Sequence, residues 1–163
     1  MRTLVLLRHG KSAYPDGVDD HERPLNDRGR AQAALAGQRL RASLASMGNT
    51  DATVDLALVS AATRAQQTWE RVEPGLRVGR LLITPDLYLA DVEALTGLVA
   101  GSDASVDTAV FVGHNEGLED FATFLSGEQV TLKTSSYAVL TSDAPWAAWT
   151  QQSADLNEVV IAR

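Results

Sequence analysis

Cysteine is absent from the 163 residues, which excludes disulfides, thiolate catalysis and thiolate metal sites. Positive charge is scarce: 14 Lys and Arg stand against 21 Asp and Glu, a formal net charge of -7. That balance argues against nucleic acid or an anionic membrane as a partner, since both reward a basic surface. It leaves room for a small anionic substrate held by a local cluster of arginines. No apolar run approaches the length of a membrane span, and there is no internal repeat or long low-complexity tract. The apolar stretch after Met1-Arg2-Thr3 is too brief for a secretory h-region and carries no cleavage-like site, so a cytoplasmic enzyme is expected. The length suits one domain over residues 1–163 with a sizeable core.

Periodicity places alternating strands and helices along the chain. Continuous short apolar runs at Thr3–Leu7, Leu56–Val59, Leu81–Thr84 and Thr108–Val112 read as buried strands. Tyr137–Thr141 and Val159–Ala162 read as strands in the last part. Helices are expected from Asn26 or Asp27 to about Ser46, over Ala61–Val72, over Asp91–Val99 and over Leu118–Leu125. This alternation predicts an α/β fold, a three-layer α/β/α sandwich with a mostly parallel central sheet. Trp146 and Trp149 read as packing residues. The polar stretch Ser12–Asn26 is long for a loop in a compact domain, and such loops are usually functional or mobile.

Ligands of parallel α/β sheets bind beyond the carboxyl ends of the strands, and three of those ends are conspicuous here. The first delivers Arg8-His9-Gly10. Arg offers a permanently charged fork matched to phosphate oxygens, His is a candidate nucleophile near neutral pH, and Gly allows a close backbone approach. The second end delivers Ser60 and, one helical turn later, Arg64. The fourth delivers Gly113-His114-Asn115 at the start of a helix, where free N–H groups favour an anion. Taken singly, Arg64 is as readily a solvated helix residue and His114 a cap or core histidine. Their joint arrival at neighbouring strand ends is what points to a phosphate pocket.

Leu7-Arg8-His9-Gly10, Ser60…Arg64-Ala65-Gln66-Gln67-Thr68 and Val112-Gly113-His114-Asn115 together resemble the histidine phosphatase superfamily, with its phosphoglycerate mutase-like fold. The branch resembled is that of the small SixA-type phosphohistidine phosphatases. Arg23-Pro24-Leu25-Asn26-Asp27-Arg28-Gly29 and Asp86-Leu87-Tyr88-Leu89-Ala90 are similar to segments of that branch. The resemblance implies His9 as the nucleophile that takes the phosphoryl group, with Arg8, Arg64 and His114 as further catalytic residues binding its oxygens. It implies no cofactor and no metal. A site built from His9, His114 and His21 would be opposed by the adjacent arginines, and His21 reads as a solvated loop residue. Ser12 is a candidate phosphate donor or else a turn residue, and Lys11 either approaches the phosphate or stays solvated.

Several positions depart from the relatives. Lys11 and Pro15 stand where phosphoglycerate mutases and acid-using relatives carry Glu and Asn, which disfavours that subset. Glu116 replaces the proline usual after Gly-His-Asn in the SixA-type branch. No acid sits in a recognisable general-acid motif. Asp86, Asp91 and Glu93 are the candidates, with Asp86 as readily a turn residue and Glu93 a helix-surface residue. A phosphohistidine leaves as neutral imidazole if its other nitrogen is protonated, whereas an alkoxide needs an acid. That favours an N–P substrate, and the resemblance to the SixA-type branch implies a phosphorylated protein bearing phosphohistidine as the partner. A small phosphorylated metabolite is the alternative substrate, and a non-catalytic phosphate- or phosphoprotein-binding module is the alternative of another class.

Overall fold

A computed structural model describes residues 1–163. Six strands, β1 (Arg2–Arg8), β2 (Thr53–Ser60), β3 (Arg77–Thr84), β4 (Thr108–Gly113), β5 (Tyr137–Ser142) and β6 (Asp155–Val160), form one sheet in the order β3-β2-β4-β1-β5-β6. The pairings β3–β2, β2–β4 and β4–β1 are parallel, and β1–β5 and β5–β6 are antiparallel. The sheet is thus mostly parallel, with β5 alone reversed. Four helices cover it: α1 (Asp27–Ser46), α2 (Thr63–Val72), α3 (Val92–Ala100) and α4 (Gly117–Ser126).

Strand alternation divides the core into two layers. Leu4 and Leu6 of β1 and Phe111 of β4 pack with Leu95 of α3, Leu118 and Phe121 of α4, and Trp146 and Trp149. Val5, Leu7, Val110 and Val112 face the opposite side, against Leu40 of α1 and Trp69 of α2. Leu4 to Leu7 are each at most 1% exposed, and such burial stabilises by about 2 kcal/mol per side chain. The strand that ends in Arg8 is therefore anchored on both faces. No helix is long and apolar enough to cross a membrane.

The observed bounds differ from expectation at the sheet edges. β3 begins at Arg77 rather than Leu81, and its residues are largely exposed. β6 runs Asp155–Val160 rather than Val159–Ala162. Both are edge strands with one partner each, so solvent meets much of their side-chain surface and polar residues extend them beyond the apolar run that marks them in the sequence. β5 also carries a register shift between Val139 and Leu140, which offsets its pairing with β6.

Candidate active site

β4 lies between β1 and β2, and all three run parallel. Their carboxyl ends consequently set Arg8-His9, Ser60 and His114 side by side. The His9 N–H donates to the Gly113 carbonyl at 3.0 Å, which ties the two histidine-bearing ends together. The imidazole centroids of His9 and His114 are 5.1 Å apart. They border a cavity of about 230 Å³ that Arg8, Arg64, Ser12 and Asn115 also line, with no carboxylate among its lining residues.

Each residue of the Arg64–Thr68 segment has a physical task in holding this cavity. Thr68 Oγ1 accepts from the Gly10 N–H at 2.9 Å and donates to the Arg64 carbonyl at 2.7 Å. Gln67 Oε1 accepts from the Leu25 N–H, and Gln66 Nε2 donates to the Ala61 carbonyl. Ala65 is wholly buried. The segment thus fastens α2 to the turn after β1 and to the loop before α1. That loop also presses on Gly29, where a Cβ would lie 2.0 Å from the Lys11 carbonyl oxygen, so only glycine permits the approach.

His9 is buried, and its Nδ1 lies 2.7 Å from the Gly10 carbonyl oxygen. A carbonyl only accepts, so Nδ1 carries the proton and donates. Nε2 then presents a lone pair, which accepts from Arg64 Nε at 3.3 Å. Burial, reinforced by the positive fields of His114, Arg64 and Arg8, lowers the His9 pKa to about 3, although the Gly10 carbonyl pulls the other way. The ring is neutral at neutral pH, with its free lone pair fixed on Nε2.

His114 is tuned by a different device. Its Nε2 lies 2.8 Å from Ser60 Oγ, and that oxygen already accepts the Ala62 N–H at 3.2 Å. Ser60 is wholly buried and its hydroxyl proton has no acceptor other than Nε2, so it is directed there, which leaves the proton of the neutral ring on Nδ1. His114 Nδ1 and Arg8 Nε are both buried without a partner in the protein. They are donors available to an anion. Burial and then Arg64 lower the His114 pKa to about 4. Arg8 is oriented by donating from Nη1 to the Leu132 carbonyl at 2.9 Å, and the Leu132 N–H donates to Glu119 Oε2 at 2.7 Å.

The Ser12–Asn26 loop folds back over the site. An antiparallel bridge between Ser12 and Leu25 closes its base. At its tip, Arg64 donates to the Asp20 carbonyl at 2.6 Å and to Asp20 Oδ2 at 3.1 Å. Tyr88 donates its hydroxyl to the same carboxylate at 2.5 Å, and Arg23 donates to Oδ1 at 3.0 Å. The Tyr88 bond, followed by Arg23 and Arg64, holds the Asp20 carboxyl far below the usual range. Ser12 Oγ accepts from Arg23 Nη1 at 2.7 Å.

Of the residues singled out from sequence, Arg8, His9, Lys11, Ser12, Arg64 and His114 all line the cavity. Asp86, Asp91 and Glu93 are exposed and do not line it; Asp91 caps α3 by accepting the Ala94 N–H. His21 is half-buried against the edge of Tyr88. Glu116 is exposed just before α4. Asp20, Tyr88, Leu132 and Glu119 were not singled out as site residues. The hints are the Asp86–Ala90 segment, which contains Tyr88, and the acidic run Asp19-Asp20-His21-Glu22, in which nothing separates Asp20 from its neighbours.

The model of the histidine phosphatase superfamily (branch 1) matches residues 4–105. The chain belongs to the histidine phosphatase superfamily. The match includes the first two strand ends, and the His114 motif follows just beyond it. Within the superfamily, the chain is similar to a candidate phosphohistidine phosphatase SixA from Nakamurella multipartitia, with 29% identity over 98% of this chain and 95% of that one and a TM-score of 0.82. It is 33% identical to an uncharacterized chloroplastic protein of Arabidopsis thaliana over 85% of this chain and 66% of the plant protein. A 62-residue stretch is 55% identical to an uncharacterized protein of Mycobacterium tuberculosis, covering 38% of this chain and 35% of that protein. These matches thus span less than two thirds of those two relatives' own lengths.

Proposed function

We propose that the protein is a phosphatase that works through a phosphohistidine at His9 Nε2 and acts on phosphohistidine carried by a protein. The observation that carries this reading is the state of His9, neutral and protonated at Nδ1 by the bond to the Gly10 carbonyl, with Nε2 facing Arg64. Phosphoryl transfer asks for in-line positioning and for charge stabilisation on the equatorial oxygens. Arg8, Arg64 and the Nδ1–H of His114 supply that stabilisation. His9 Nε2 forms a bond to phosphorus while the bond to the substrate imidazole breaks and its electron pair leaves with the ring. The departing ring is neutral because its second nitrogen is already protonated. Water then attacks the phosphorus, the P–Nε2 bond breaks with its electron pair returning to the neutral His9 ring, and phosphate leaves with the water oxygen and both water protons.

Similarity to the candidate phosphohistidine phosphatase supports the choice of substrate, as does a cavity lined by no carboxylate that could protonate an alkoxide. Single-turnover labelling from a phosphorylated histidine protein tests the proposal. Acid-labile, alkali-stable label that disappears in His9→Ala is expected. Turnover of sugar phosphates or nucleotides in preference to phosphohistidine would overturn the substrate assignment. Absence of both label and turnover with every donor would leave only a phosphate-binding module.

A further inference from the structure

Two residues bordering the cavity do nothing for phosphate chemistry. Tyr14 is 78% exposed and Leu89 is 69% exposed, and they are the large apolar side chains at its mouth. They come from separate segments, the loop after β1 and the turn before α3. Tyr14 stacks on the Arg23 guanidinium, 4.1 Å from its ring centroid, and Arg23 is itself held by Asp20 and Ser12. One face of the ring is thereby backed by a fixed group.

Leu89 is held in a costlier way. Its φ is 55°, a left-handed conformation that glycine adopts freely and leucine does not. The chain is pinned on either side. Leu87 is buried, Tyr88 bonds Asp20, and the Ala90 carbonyl oxygen would lie 1.9 Å from a Cβ at Gly117. A bulky residue in a strained backbone, with its apolar side chain in water, is unfavourable for the free protein on two counts. Such strain clusters at ligand clamps. Lys11, also exposed at the mouth, has no ion-pair partner.

We infer that Tyr14 and Leu89 form an apolar rim that grips a side chain beside the phosphorylated residue of a protein substrate. This rests on the phosphohistidine reading above. The partner is a phosphohistidine-bearing segment with an apolar neighbour for the rim and an acidic group for Lys11. A free phosphorylated metabolite filling the cavity has no body outside it for these side chains to touch.

Three donors test the inference: free phosphohistidine, a phosphohistidine peptide flanked by leucines, and the same peptide flanked by serines. The wild-type protein should favour the leucine peptide over the serine peptide by about tenfold in kcat/KM, the scale of one well-buried apolar contact. Leu89→Gly relieves the backbone strain while deleting the side chain, so it should fold at least as well. Leu89→Gly and Tyr14→Ser should each erode the preference and together abolish it, with free phosphohistidine turned over within about twofold of wild type. Equal rates on the two peptides, or equal loss on all three donors in the variants, would overturn the rim. No turnover of any donor by the wild type would overturn the phosphatase reading and the rim with it.

Discussion

Acidification should unfold this protein earlier than its carboxylates alone require, because His9 and His114 are buried as neutral rings. Their folded pKa values, about 3 and about 4, lie below the ordinary histidine value of 6.5. Between pH 6.5 and those values the unfolded chain binds protons that the folded chain refuses, so stability falls as pH falls through that window. Above pH 7 neither ring contributes. At pH 5 the penalty is set by the distance to the unfolded value and amounts to about 2 kcal/mol per histidine, or about 4 kcal/mol for both. That is a large share of a typical domain's total stability. Asp20 titrates below this window and acts in the same sense, since its lowered pKa adds stability above the unfolded carboxyl value that is lost as pH falls further. Urea unfolding in phosphate-free buffer at pH 7, 6 and 5 measures the slope. His9→Gln and His114→Gln should each remove about half of the histidine contribution. Ring-proton NMR titration supplies the direct check, and a midpoint near 6.5 for either ring would refute the reasoning.

Two substitutions probe the supports behind these rings. Ser60→Ala removes the hydroxyl that directs the His114 proton to Nδ1, so kcat/KM should fall about three- to tenfold, the value of one hydrogen bond. Nitrogen NMR should record loss of the Nδ1–H tautomer, and an unchanged rate with an unchanged tautomer would show that Ser60 does not set it. Thr68→Val keeps the shape but leaves the buried Gly10 N–H without its acceptor; a loss of about 1–3 kcal/mol is expected on urea unfolding. A loss below about 0.5 kcal/mol would mean that the turn after β1 is held by other contacts.

The sequence carries the parts of this site that are local. Leu4–Leu7 is apolar throughout because β1 is covered on both faces, and so it announces a central strand. Asn26 and Asp91 cap α1 and α3 through the N–H groups three residues on, so both helix starts are readable. Arg8, Ser60 and His114 are readable because strand ends of a parallel sheet converge. What supports them is hidden by separation along the chain. Arg8 is oriented by a carbonyl 124 residues away, and Arg64 by a carboxylate 44 residues away. Backbone carbonyls carry no side-chain signature at all, and the same atom type fixes the His9 tautomer. Asp91 illustrates the converse: a carboxylate weighed as an acid from sequence is committed to a helix cap.

Asp20 brings a carboxylate to the site, and its bonding argues against a role as proton donor. A general acid must hold its proton near the working pH, whereas the Tyr88 hydroxyl, Arg23 and Arg64 all stabilise the ionised form of Asp20. Its bonds instead fix the tip of the Ser12–Asn26 loop and turn the Nη groups of Arg64 outward, leaving Nε directed at His9. A substrate whose leaving group needs a proton must then bring its own. A phosphorylated imidazole protonated at its second nitrogen meets that demand, and an alkyl phosphate does not. Neutralising Asp20 would therefore loosen Arg64 without supplying an acid, which separates positioning from proton transfer: Asp20→Asn should slow phosphohistidine and simple phosphoramidate donors alike while leaving alkyl phosphates as poor substrates. A gain on alkyl phosphates alone would overturn that division of labour.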